Sequence, residues 1–281
     1  MRAFRSWLLG LMLVFSGCNS PESLLVEGNR AYARGDRQAA GTAYSQAVKH
    51  ARTEAVAHLN LGRLYLEAGQ HQVAKTHLDQ GLTLRPDLAA GYLYRGRAQA
   101  ALGDTAAAEK DLTKAVALDR HDEDAWLELA RVRASRGRLV EALRALDYPR
   151  NSPAYQAEAT FLGLEIRRRM GQTDGSLAEL EALAQSQPYL ARAYFELGAL
   201  RLEKKDFHEA ERRLTQGLRL EPAERSARLA LAQSLEGQGR WPDAAREYQA
   251  VIDGSPPEGD ALTAASRRAL AGRPQERESP P

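Results

Sequence analysis

Residues 55–88 read AVAHLNLGRLYLEAGQHQVAKTHLDQGLTLRPDL and residues 89–122 read AAGYLYRGRAQAALGDTAAAEKDLTKAVALDRHD, two 34-residue stretches that align without a gap. Gly62 falls on Gly96, Gly69 on Gly103, Ala74 on Ala108 and Leu78 on Leu112. A fixed period of this length changes the meaning of each residue inside it, because every unit then buries its apolar face only against its neighbours. The frame extends in both directions, with starts at Pro21, Ala55, Ala89, Glu123, Ala157, Ala191 and Arg225. Position 20 is always small: Ala40, Ala74, Ala108, Ala142, Ser176, Ala210 and Ala244. Position 24 is always large: Tyr44, Leu78, Leu112, Leu146, Leu180, Leu214 and Tyr248. Position 15 is glycine except at Lys205, position 8 is glycine or alanine except at Leu164, and position 32 is proline in four frames.

This pattern predicts two helices per unit. The chain holds 49 Ala and 40 Leu against two Ile, a bias toward strong helix formers and away from β-branched residues. Small residues at positions 8 and 20 let two antiparallel helices approach closely, and the position-24 side chain fills the space against the next unit. Glycine at position 15 supplies the left-handed conformation that ends the first helix, and proline at position 32 stops the second.

The pattern of small, aromatic and proline positions resembles the tetratricopeptide repeat. The resemblance implies an all-α solenoid, a right-handed superhelix of about seven helix pairs, with repeats at 21–54, 55–88, 89–122, 123–156, 157–190, 191–224 and 225–258. An end repeat needs a solvated cap. Residues 259–272 read as that capping helix, with Leu262, Ala265 and Ala269 on one face, and 273–281 as a disordered, proline-rich tail. The array is irregular at Asp147–Pro153, where Pro149 and Pro153 fall inside the second helix of the fourth repeat and must end it early. The fifth repeat departs furthest, with Leu164, Ser176 and Gly175. Two readings stand: a tolerated kink, or a hinge between repeats 1–4 and 5–7.

Residues 1–17 have the order of a signal peptide: Arg2 and Arg5, an apolar run from Trp7 to Phe15, then small residues before Cys18. Nine helical residues cover about 14 Å, half of a hydrocarbon core, so the run is too short to span a bilayer. Phe15-Ser16-Gly17-Cys18 resembles the bacterial lipobox. This implies a lipidated Cys18 at the head of a tether over 18–20, and Asn19 after it points to the outer membrane, facing the periplasm. Without the signal the chain has 37 basic and 37 acidic residues, which disfavours bulk attraction to nucleic acid. One cysteine forms no internal disulfide and no thiolate cluster.

No catalytic constellation is present, and neither a metal nor a cofactor is expected. The six histidines form no HExxH motif and no pair three or four apart on one helix, no P-loop or GxSxG occurs, and His71 and His77 read as solvated surface residues. In the resembling family, positions 2, 5, 9 and 12 of the first helix line a groove. Position 5 carries Leu25, Leu59, Leu93, Leu127, Phe161, Phe195 and Leu229; position 9 carries Asn29, Arg63, Arg97, Arg131, Glu165, Ala199 and Gln233. Three successive arginines beside an apolar stripe suit an extended or helical peptide with acidic groups. Asn29 and Asn60 coincide with two asparagines of the carboxylate clamp of chaperone-binding members, but Leu25, Ala90 and Tyr94 stand where its Lys, Lys and Arg would be, so that clamp is not made. The expectation is a non-catalytic, membrane-anchored periplasmic scaffold, resembling secretin or pilus assembly factors. The alternative is a peptide-binding adaptor of a cell-wall or polysaccharide-export enzyme.

Overall fold

The computed structural model describes residues 20–256 and 258–272; the signal segment, Cys18 and the tail from 273 lie outside the described residues. The described residues are helical, without a strand, and the chain divides into two compact units at Arg136 and Gly137. The first unit holds α1 (Pro21–Ala33), α2 (Arg37–Ala47), α3 (Glu54–Glu67), α4 (His71–Leu84), α5 (Ala89–Ala101), α6 (Thr105–Leu118) and α7 (Glu123–Ser135). The second holds α8 (Leu139–Ala145), α9 (Asp147–Arg150), α10 (Gln156–Met170), α11 (Ser176–Ser186), α12 (Ala191–Glu203), α13 (Phe207–Leu220), α14 (Arg225–Gly237), α15 (Trp241–Asp253) and α16 (Ala261–Ala271). The division falls inside the fourth frame, at its position 15.

Local chemistry sets the ends of these helices. Asp36, Asp104, Asp122 and Asp206 each accept a hydrogen bond from the backbone N–H three residues on, capping α2, α6, α7 and α13. The position-15 residue takes a positive φ in all seven frames, from Gly35 at 79° to Gly239 at 75°. Lys205, the exception in sequence, adopts the same conformation at 59° and is strained there, because its Cβ crowds the carbonyl.

Packing follows the repeat. Every position-20 and position-24 residue, Ser176 included, is at most 2% exposed. Each fully buried leucine among them contributes about 1.5–3 kcal/mol of transfer free energy. The position-24 side chain serves two contacts. Tyr44 clusters with Leu61 of the next repeat, as the pattern predicts, and it also lies over Gly28 of its own repeat. A Cβ added at Gly28, Gly62, Gly96 or Gly198 would stand 2.4–2.7 Å from the position-24 side chain, and at Gly96 and Gly198 it would also meet the position-20 carbonyl oxygen at 3.3 Å.

The fourth repeat breaks as its prolines require. In a continuous helix the Pro149 ring would strike the Ala145 carbonyl; the chain ends α8 at Ala145, turns at Leu146, and resumes in α9 with Pro149 in the first turn, where the missing N–H costs nothing. At the other end, Ala269 and Leu270 of α16 pack against the apolar cluster of α13–α15, and Thr263 and Ser266 are its buried residues. The buried face of α16 is therefore rotated from the one read in sequence. Arg225 orients it, donating to the Val251 carbonyl at 3.0 Å, to Thr263 Oγ1 at 2.8 Å and to Asp260, the cap of α16.

Candidate binding face of the first three repeats

In the first unit the first helices of successive repeats bring polar side chains from three units together. Asn29 of α1 accepts from Tyr44 Oη at 2.8 Å and from Asn60 Nδ2 of α3 at 3.3 Å. Arg63, one turn beyond Asn60, stacks its guanidinium 4.0 Å from the centre of the Tyr32 ring, and Tyr94 of α5 acts on the same charge. Tyr32 donates to Glu67, which Arg37 also pairs at 3.4 Å. Burial, and for Tyr32 the hydrogen bond to Glu67, push the Tyr32 and Tyr44 phenols above their ordinary value, so both remain neutral donors.

The three arginines do not form one open ladder. Arg97 is paired with Asp124 at 3.3 Å and Glu128 at 3.2 Å, and Arg131 lies 3.9 Å from the same Glu128. Among the described residues no carboxylate pairs with Arg63, and its Nε is buried without a partner. The signal was present: positions 2 and 6 of the fourth frame are acidic and reach back to position 9 of the third. The position-5 stripe is mostly packing rather than open groove. Leu93, Leu127 and Phe161 are buried, while Leu25, Leu59 and Phe195 are half-buried. Phe195 fills the space over Gly217, and Arg192 covers the Phe161 ring at 4.1 Å. Asn29 and Asn60 bond to each other, which leaves the second amide N–H of Asn60 as a donor.

Sequence reading missed the histidines. His77 is not a solvated surface residue: its Nδ1 lies 3.0 Å from Nδ1 of buried His58, and Tyr65 stacks on its ring. His71 is also partly buried, its Nδ1 without a partner. The hairpin register that sets position 8 against position 20 also brings position 4 to position 23, and that arithmetic would have found the pair. Among the described residues, no group of three or more His, Cys, Asp or Glu is placed to hold a metal, and no helix is long and apolar enough to cross a membrane. The set around Arg63 places a guanidinium and amide and phenol donors beside aromatic rings, groups that can hold a carboxylate.

Comparison with known proteins agrees with this architecture. A family described as the C-terminal domain of cilia and flagella-associated protein 70 matches residues 4–152, and a tetratricopeptide repeat family matches residues 200–259. Hsc70-interacting protein 1 of Drosophila melanogaster is 37% identical over 86 residues, 30% of this chain and 23% of its own length. Protein O-mannosyl-transferase TMTC3 of Homo sapiens is 29% identical over 161 residues, 54% of this chain and 17% of its own. The chain thus spans less than a quarter of the length of these curated relatives. Among solved structures, Pseudomonas aeruginosa pilF superposes with a TM-score of 0.63 at 15% identity, covering 80% of this chain and all of pilF. A tetratricopeptide repeat protein of Parabacteroides merdae gives 0.59 at 13%, covering 89% and 98%. These likenesses concern the fold. With the first family match spanning more than half of the chain, and the 34-residue period carried through stacked helix pairs, the chain belongs to the tetratricopeptide-repeat family.

Proposed function

We propose that the chain is a non-catalytic scaffold that binds protein partners in a bacterial envelope, anchored through Cys18 and engaging them with the first helices of repeats 1–3. One observation carries the binding face. Arg63 is a position-9 arginine that no carboxylate among the described residues neutralises; its guanidinium stacks on the Tyr32 ring, and Tyr94 acts on the same charge. A half-buried guanidinium without a counter-charge favours a ligand that brings one, and an acidic group on a partner peptide does so in bidentate fashion. Anchoring rests on the order basic, apolar, Ser16-Gly17-Cys18. Because α1 begins at Pro21 with Ser20 as its cap, the tether reaches about 10 Å at most. The first repeat then lies against the headgroups, and its binding face meets partners embedded in or docked at that membrane. The outer membrane, facing the periplasm, is the proposed location, and assembly of a secretin, pilus or similar envelope machine is the proposed role.

The test is capture of partners from detergent-solubilised membranes by full-length protein and by Arg63→Glu. Loss of the captured protein at unchanged helicity supports the face, and undiminished capture by the folded variant rejects it. Mass spectrometry of what is captured separates a multimeric pore from a cell-wall hydrolase or synthase. Independently, Cys18→Ser should abolish metabolic labelling with palmitate, and label that persists rejects the anchor.

A further inference from the structure

A second surface, away from Arg63, has the features of a built site. Helices α4, α5 and α6 line a groove of about 730 Å³, within the range of sites that take drug-sized ligands. The chain has six lysines against 33 arginines, and three of the six, Lys75, Lys110 and Lys114, converge on this groove. Lys75 is neutralised by Asp79 at 2.7 Å. Arg95 is saturated, gripping Asp111 with two hydrogen bonds of 2.6 and 2.9 Å and Asp79 with one of 2.9 Å. Lys110 and Lys114, one turn apart on the exposed side of α6, have no ion-pair partner among the described residues. Four cations against two carboxylates leave the groove with an excess of two positive charges.

The inner wall adds a different demand. Gln99 is 7% exposed and its amide oxygen has no hydrogen-bond donor. A buried acceptor left unpaired is costly, and an occupant that supplies an N–H removes that cost. The lining also includes Tyr92, Ala107 and Ala117, an aromatic ring and two methyl groups among the polar residues. Lysine rather than arginine is informative here. A flexible ammonium follows an anion whose position varies, whereas the fixed guanidinium fork serves the rigid internal pairs. A fully ionised phosphate would satisfy the lysines and leave Gln99 unpaired; a peptide offers a backbone N–H, apolar side chains and carboxylates in one segment.

We propose that this groove binds an acidic segment of a protein partner: a backbone N–H to Gln99, an apolar side chain against Tyr92, Ala107 and Ala117, and carboxylates at Lys110 and Lys114. It does not depend on the reading of Arg63. The probe is a fluorescent peptide, Glu-Leu-Glu-Glu-Leu-Glu, titrated by anisotropy into the full chain carrying Arg63→Ala, so that the two surfaces are distinguished. The expected result is saturable binding that weakens at least tenfold in Lys110→Glu/Lys114→Glu and declines with salt. Both lysines are exposed, so the double variant should melt like its parent. Gln99→Leu removes the orphan acceptor without opening a void, and should weaken the peptide while sparing the fold; a patch acting by charge alone would not register it. Absence of saturable binding up to millimolar peptide overturns the proposal, as does binding that survives the double reversal. Lysine-dependent binding of phosphatidylglycerol vesicles with no peptide binding would overturn it in favour of a lipid surface.

Discussion

In the third repeat Gly96 of α5 lies beneath Leu112 of α6, with the Ala108 carbonyl close by, and the two helices meet nearly backbone to backbone. In the fifth repeat the equivalent of Gly96 is Leu164, buried against Leu180 and Leu183, and the equivalent of Ala108 is Ser176. What replaces close approach there is a charged set. Arg167 holds Glu179 with two hydrogen bonds of 2.8 Å, Arg150 approaches the same carboxylate at 3.6 Å, and Gly163 makes room for the Arg150 guanidinium. The lesson is that the repeat conserves filled volume and not any one residue. Interiors pack to constant density, so a side chain added at one position must be matched by space and partners nearby.

The comparison breaks most sharply at position 8. Leu164→Ala removes a buried side chain and should cost about 2–5 kcal/mol by chemical denaturation. A loss below 1 kcal/mol would mean that the fifth repeat is already loosely packed. In the third repeat the sign of the size change reverses. Gly96→Val adds atoms where a Cβ alone would stand 2.7 Å from Leu112 Cγ, and should cost about 1–3 kcal/mol through overpacking. A valine accepted without loss of Tm would show that α5 and α6 separate freely.

Lys205→Gly makes the sixth repeat regular. It relieves a left-handed lysine and should stabilise by about 1 kcal/mol, visible as a higher urea midpoint at unchanged m-value. A lower midpoint would indicate that Gly entropy outweighs the relief.

The smallest effect sharpens the comparison within the second repeat. Burial lowers the pKa of His58 and His77 below 6.5, and for His77 the charge of His58 adds to it. The folded pair therefore binds fewer protons than the unfolded chain. Its contribution is complete above about pH 6.5 and declines as the pH falls below that value. In His77→Gln the acid limb should flatten, and an unchanged limb would assign the loss to carboxylates instead.

Much of this could be read before any coordinates. Spacing alone located the seven position-24 residues, all of them in the core, and Pro149 marked the break after Ala145 because a missing N–H and a ring clash are local facts. The face around Arg63 was half legible. Its arginines were counted at position 9, but the pairing of Arg97 depends on Asp124 and Glu128, which stand on the first helix of the next repeat and meet it only when repeats stack, whereas Arg131 reaches Glu128 along its own helix.

The sequence by itself determined the period, the helix pairs and their ends, because caps, left-handed residues and small-residue crossings act within a few residues or recur at a constant interval. Tertiary structure alone decided that Arg63 meets no carboxylate among the described residues, that the His58 and His77 rings close to 3.0 Å, and that three of six lysines meet in one groove. The His58–His77 contact joins residues 19 positions apart and the Arg97–Glu128 pair residues 31 apart. Such separations are closed only by how the helices pack, and the energy of an ion pair falls with the distance that packing leaves between the charges.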